Sequence, residues 1–71
     1  MQTENLIKMA NQIGDFFKSF PDEAQAKKDI AQHLIKFWAA SMRLQLVQHV
    51  QQNKGEGLHD LVRDAVIEHV A

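Results

Sequence analysis

Four histidines, nine carboxylates, two serines and a few basic side chains are the groups that could do chemistry in this chain of 71 residues. No cysteine stands beside them, so there is no thiolate nucleophile and no sulfur ligand for zinc or an iron–sulfur cluster. His33, His49, His59 and His69 are spaced so that no two share a helical face, whereas a zinc site needs three or four converging ligands. A structural hydrogen bond is the expected job of His33, and compensation of a helix C-terminus that of His69. Ser19 and Ser41 have no histidine close by, and neither a Gly-rich phosphate loop nor a nucleophile elbow is present. Asp60 and Asp64 share one side of a helix, where like charges four apart are an ordinary solvated pair. The chain therefore offers no catalytic, cofactor-binding or metal-binding set, and is expected not to be an enzyme by itself.

Arg43 is the sharpest local signal. Helical phase sets it among Leu46, Val47 and Val50, and arginine is almost never buried without a partner. It has three outlets: snorkelling to solvent, pairing with an internal acid such as Asp22 or Asp60, or anchoring into a carboxylate of another protein. Phe37 and Trp38 are adjacent, so on a helix they point about 100° apart. One can enter the core while the other reaches outward.

Apolar spacing defines the elements that carry these residues. Helix 1, about Thr3 to Ser19, lines up Leu6, Met9, Ala10, Ile13, Phe16, Phe17 and Phe20, with Ile7 outside the stripe and Thr3 as N-cap. Gly14 within it points to close packing against another helix, since glycine there sacrifices up to ~1 kcal/mol relative to alanine. Helix 2 runs from Glu23 to Trp38 behind Pro21, with Asp22 and Gln25 forming a capping box. Helix 3 spans about Ala40 to Gln52 and stops at Asn53-Lys54-Gly55, with Gly55 as the left-handed cap. Helix 4 covers about Leu58 to Val70, with Ile67 opposite its apolar side. The expected fold is all-α: a bundle of three to four helices forming one domain, residues 1–71.

Between helices 2 and 3, Ala39-Ala40 are strong helix formers and give no stop signal. On one straight rod, however, the two apolar arcs would point about 170° apart. A monomer can bury both arcs only if the chain breaks near Trp38. An unbroken rod fits only a dimer whose copies exchange halves.

Composition limits the function classes. Net charge is −1 and Lys27-Lys28 is the only basic doublet, which excludes the phosphate-neutralising clusters of nucleic-acid binding. No apolar run approaches the ~18 residues of a membrane span, and nothing resembles a signal peptide, so the expected location is cytoplasmic. Apolar burial of roughly 100 kcal/mol at ~25 cal/mol/Å² faces an ordering cost of similar size, about 1.5 kcal/mol per residue. Helices 2 and 3 nonetheless carry arcs wider than so small a core requires. The surplus reads as a docking surface.

The block Met9-Ala10-Asn11-Gln12-Ile13-Gly14-Asp15-Phe16-Phe17 is answered downstream by His33-Leu34-Ile35-Lys36-Phe37-Trp38 and Met42-Arg43. Gly57-Leu58 and Leu61-Val62-Arg63-Asp64-Ala65-Val66 follow. Together these resemble the delta subunit of the soluble, NAD-dependent, molybdenum-containing formate dehydrogenases, over nearly the whole chain. The resemblance implies a helical accessory subunit that docks on the large catalytic subunit and supports assembly or stability. Molybdopterin, iron–sulfur clusters, FMN and NAD would then belong to partner subunits. With the arcs above, it marks His33, Phe37, Trp38, Met42 and Arg43 as the expected docking residues. Where related delta subunits tend to have Asp-Pro, this chain has Ala39-Ala40. The alternative is a free-standing helical adaptor or a homodimer.

Overall fold

In the computed structural model, which describes residues 2–71, the chain runs α1 (Thr3–Phe17), α2 (Glu23–Phe37), α3 (Ala40–Asn53) and α4 (Asp60–Ala65). A π-helical turn over Val66–Val70 continues α4. No strand occurs among the described residues, so the expected all-α bundle is borne out.

Side-chain chemistry accounts for the helix ends. Asp22 caps α2 by accepting the Gln25 backbone N–H at 3.1 Å. The reciprocal half of the expected capping box is absent, because the Gln25 amide donates to Asp29 at 2.9 Å instead. Thr3 is not the N-cap of α1. Gln2 holds that place, and the Thr3 hydroxyl accepts from Gln45 Nε2 at 2.9 Å, tying α1 to α3. Helix α1 ends at Phe17 rather than Ser19, helix α2 at Phe37 rather than Trp38. At the end of α3 the left-handed cap is Lys54, with φ 58°, and the expected Gly55 follows it at φ 70°. Leu58 and His59 precede α4 rather than belonging to it, and the helical hydrogen bonding widens after Ala65. The Ala71 N–H reaches back five residues to the Val66 carbonyl at 2.8 Å.

Packing is organised on small residues. The inward row of α1 is Leu6, Ala10 and Gly14, four apart on one ridge. Helix α2 buries Ala26, Ile30, Ala31 and Leu34, helix α3 Leu46 and Val50, and α4 Val62 and Ala65. A Cβ on Gly14 would overlap the Val62 methyl group, so α1 and α4 approach each other closely at Gly14. The close packing expected of this glycine is therefore found. Centring α1 on these small residues rotates it about 60° from the stripe that its large residues suggest. As a result Ile7 packs against the core, while Phe16 and Phe20 point outward.

Polar ties hold the long α3–α4 connection. Asn11 is a two-way clamp: its Nδ2 donates to the Gly57 carbonyl and its Oδ1 accepts the His59 backbone N–H, both at 2.9 Å. His49 Nε2 lies 2.7 Å from the Glu56 carbonyl, and His59 Nδ1 lies 3.3 Å from Asp15. Arg63 bridges Asp60 and Asp64, at 3.2 and 3.1 Å, so the like-charged pair of the sequence is neutralised from within α4.

Lys27 reaches Glu68 at 2.8 Å and links α2 to the π-helical turn. The hydrogen bond to Glu68 raises the Lys27 pKa above its ordinary 10.5, outweighing desolvation. A raised lysine pKa adds stability that is whole below pH 10.5 and fades as pH climbs through the higher folded value. Unfolding midpoints measured against pH should therefore show a constant gap between wild type and Glu68→Gln from neutral pH up to that point, closing above it. Gly14→Ala should destabilise the fold despite alanine's better helix propensity. Overpacking costs about 1–3 kcal/mol against a gain of at most ~1 kcal/mol. Urea denaturation followed by circular dichroism measures the net loss.

Candidate functional site

The aromatic residues gather at one end of the bundle, mostly outside the core. Phe16 and Phe17, at the end of α1, stand edge to face with centroids 5.0 Å apart. Phe20 joins them from the connection to α2, 5.2 Å from Phe17. Across from this ridge, His33 and Phe37 lie one turn apart on α2 with ring centroids 4.7 Å apart, and Lys36 Nζ sits 5.6 Å from the Phe37 centroid. Between the two sides runs a groove of about 460 Å³. Met9, Ile13, Phe16 and Phe17 form its α1 wall, His33 and Trp38 its α2 wall, and Gln12 supplies an amide. A shallower hollow of about 210 Å³ extends it over α2, from Phe17 and His33 to Lys36 and Phe37.

The two adjacent aromatics at the end of α2 divide between inside and outside. Trp38 is 7% exposed and belongs to the core cluster, while Phe37 is 66% exposed on the rim. Phe16, lining the groove, is 69% exposed. Large apolar rings held open to solvent along a groove and its extension are costly to leave uncovered, and contiguous patches of this kind mark interaction sites. The groove can take apolar side chains, while Gln12 and His33 can orient a polar group at its edge.

Of the five residues expected to form a docking surface, the structure brings three together here: His33, Trp38 and Phe37. Met42 instead packs against the core cluster, partly buried. Arg43 works behind the groove. Its Nη1 donates to the Trp38 carbonyl at 2.7 Å and the Ile35 carbonyl at 3.0 Å. It pairs with neither Asp22 nor Asp60. These charge-assisted bonds cap the C-terminal end of α2, where a cation also complements the helix dipole. The structural hydrogen bond expected of His33 is replaced by its ring contact with Phe37.

Sequence reasoning missed the α1 wall, because it turned Phe16 into the core together with Phe17, which does pack against it. The signal was available. Two adjacent phenylalanines cannot both face inward, and the small residues Ala10 and Gly14 mark the contact row more faithfully than the large ones. The surplus apolar surface also reaches beyond helices 2 and 3. Ile35, Leu44 and Ile67 are exposed as well, Ile67 as expected, but none of them lines the groove or its extension. Among the described residues, no group of three His, Cys, Asp or Glu side chains converges on a point that could hold a metal. No helix of the described residues is long and apolar enough to cross a membrane.

Fold and site together define a small all-α protein with a preformed aromatic groove. Residues 5–66 match the family described as NADH-dependent formate dehydrogenase delta subunit FdsD, and the chain belongs to that family. No curated protein and no solved structure matches it at a significant level.

Trp38→Ala should cost about 3–5 kcal/mol of stability, as removal of a buried aromatic does. Phe16→Ser should cost less than about 1 kcal/mol, because its ring is exposed and loses only aromatic edge contacts. Parallel urea titrations compare the two.

Proposed function

We propose that this chain is a non-catalytic accessory subunit of a soluble NAD-dependent molybdenum formate dehydrogenase, docking on the large catalytic subunit through the groove between α1 and α2. The observation that carries this reading is the pair of exposed rings, Phe16 lining an apolar groove and Phe37 lining the hollow that extends it, in a chain that belongs to the delta-subunit family. Membership in that family places the chain among subunits of a formate dehydrogenase complex. Phe37 and Phe16 act as anchors in partner pockets, and His33 and Trp38 line the surface between them. Met42 and Arg43 act indirectly, Met42 by filling the core and Arg43 by holding the backbone that carries Trp38.

The binding energy of such a contact is the mechanism. Rings that cost free energy in water are buried on the large subunit, and each partner stabilises the folded form of the other by mass action. Molybdopterin, the iron–sulfur clusters, FMN and NAD reside in the partner subunits. The absence of cysteine supports this, since the chain has no thiolate with which to hold a cluster. The chain acts in the cytoplasm, alongside the enzyme it serves.

A tagged copy expressed in the native host grown on formate, captured and read by mass spectrometry, tests this directly. The wild-type chain should retain the molybdoenzyme large subunit in near-stoichiometric amount. Phe16→Ser combined with Phe37→Ser should reduce retention at least ~10-fold, as loss of two central anchors does, and Leu44→Ser should leave it unchanged. Recovery of the chain alone, with the dehydrogenase present in the lysate, rules out stable docking. Normal retention by the double variant would move the contact to another face.

A further inference from the structure

Two residues, Trp38 and Ala39, interrupt what would otherwise be one helix from Glu23 to Asn53. Their backbones are extended, with Trp38 at φ −90°, ψ 142° and Ala39 at φ −62°, ψ 150°. Little in the local sequence requires this break. No proline or glycine is present, Ala39 and Ala40 favour helix, and Ala39 is a poor N-cap that makes no side-chain hydrogen bond to α3.

What the corner does have is Arg43. In a continuous α-helix the Ile35 carbonyl would accept the Ala39 amide, and the Trp38 carbonyl would accept the Met42 amide. Both acceptors are taken here by Arg43 Nη1, and the Met42 amide turns to the Ala39 carbonyl at 3.0 Å instead. The guanidinium therefore occupies the positions through which the helix would propagate. In a straightened helix the apolar arcs of α2 and α3 face opposite ways, about 170° apart, and one chain cannot cover both. The surfaces that fit Leu46 and Val50 are those the core already provides. A second copy presents the same surfaces with no new complementarity needed.

We propose that Arg43 is a latch on a hinge at Trp38-Ala39, and that its release lets α2 and α3 fuse into a single rod, giving a dimer in which two copies of this chain exchange their α3–α4 halves. The fused rod would span about 46 Å at 1.5 Å per residue. The monomer's longest Cα extent is 31 Å.

Ala40→Pro isolates this event. Proline fits the first residue of α3, and the extended Ala39 suits the position before it, whereas inside a fused rod it would break the helix. The experiment is size-exclusion chromatography with light scattering and small-angle X-ray scattering on wild type, Arg43→Ala, Ala40→Pro and the double variant. Arg43→Ala should raise the dimer-to-monomer ratio by about tenfold or more, as loss of charge-assisted bonds implies. Its dimer should be elongated, and adding Ala40→Pro should restore the monomer. Arg43→Ala staying as monomeric as wild type overturns the latch. So does a double variant that dimerises as fully as Arg43→Ala, because the copies would then join through exposed faces. Refolding wild type and Ala40→Pro from denaturant at high protein concentration tests the hinge even if Arg43→Ala does not fold. Dimer in wild type that Ala40→Pro abolishes supports it, and equal dimer content in the two, zero included, overturns it.

Discussion

The approach of α1 to α4 at Gly14 and Val62 sets the scale of the whole bundle. Helices that meet on glycine and alanine leave little space between their axes. Ala10, Ala26, Ala31 and Ala65 are all nearly inaccessible, while none of the four phenylalanines is buried. Trp38 is the one aromatic the core admits, and it enters at the α2–α3 corner, at the end of the bundle rather than its centre. Loose packing does not explain the exposed rings. The surface of 4540 Å² is close to the ~4,500 Å² typical of a folded monomer of this mass. The rings lie outside because the core is full.

That constraint links the fold to the groove. Once Leu6, Ala10 and Gly14 face inward, Phe16 must point away and Met9 and Ile13 must form a flank. The α2 wall depends on the corner at Trp38, and the corner depends on Arg43. Asn11 holds the opposite end of the connection before α4, and through it the register of Val62 against Gly14. Most of the block that carries the family likeness therefore builds the scaffold, and its aromatic end builds the surface.

Much of this was legible in the residues. The all-α class, the Asp22 cap, the break near Trp38, and the division of Phe37 and Trp38 into one inward and one outward ring all follow from periodicity, capping chemistry and helical phase, although which ring turns inward does not. The orientation of α1 did not follow, because a stripe drawn through the largest apolar residues assumes that size decides burial. In a bundle this tight, the small residues decide it. Arg43 was correctly singled out as needing partners, but backbone carbonyls at a helix end are invisible to a search for acids. Asn11 gave no local signal at all, since its two partners lie more than forty residues away. The split of α4 into a short helix and a π-helical turn was equally hidden, its apolar spacing being that of one ordinary helix.

The most direct test of the central claim, that the aromatic groove is the surface covered in the complex, is side-chain footprinting by hydroxyl radicals. It would be read residue by residue in the free chain and in the assembled dehydrogenase. The account predicts strong protection of Phe16, Phe17 and Phe37 on assembly, with Leu44 and Ile67 labelled equally in both states. Unchanged labelling of the three phenylalanines, with protection at Leu44 or Ile67, would contradict it.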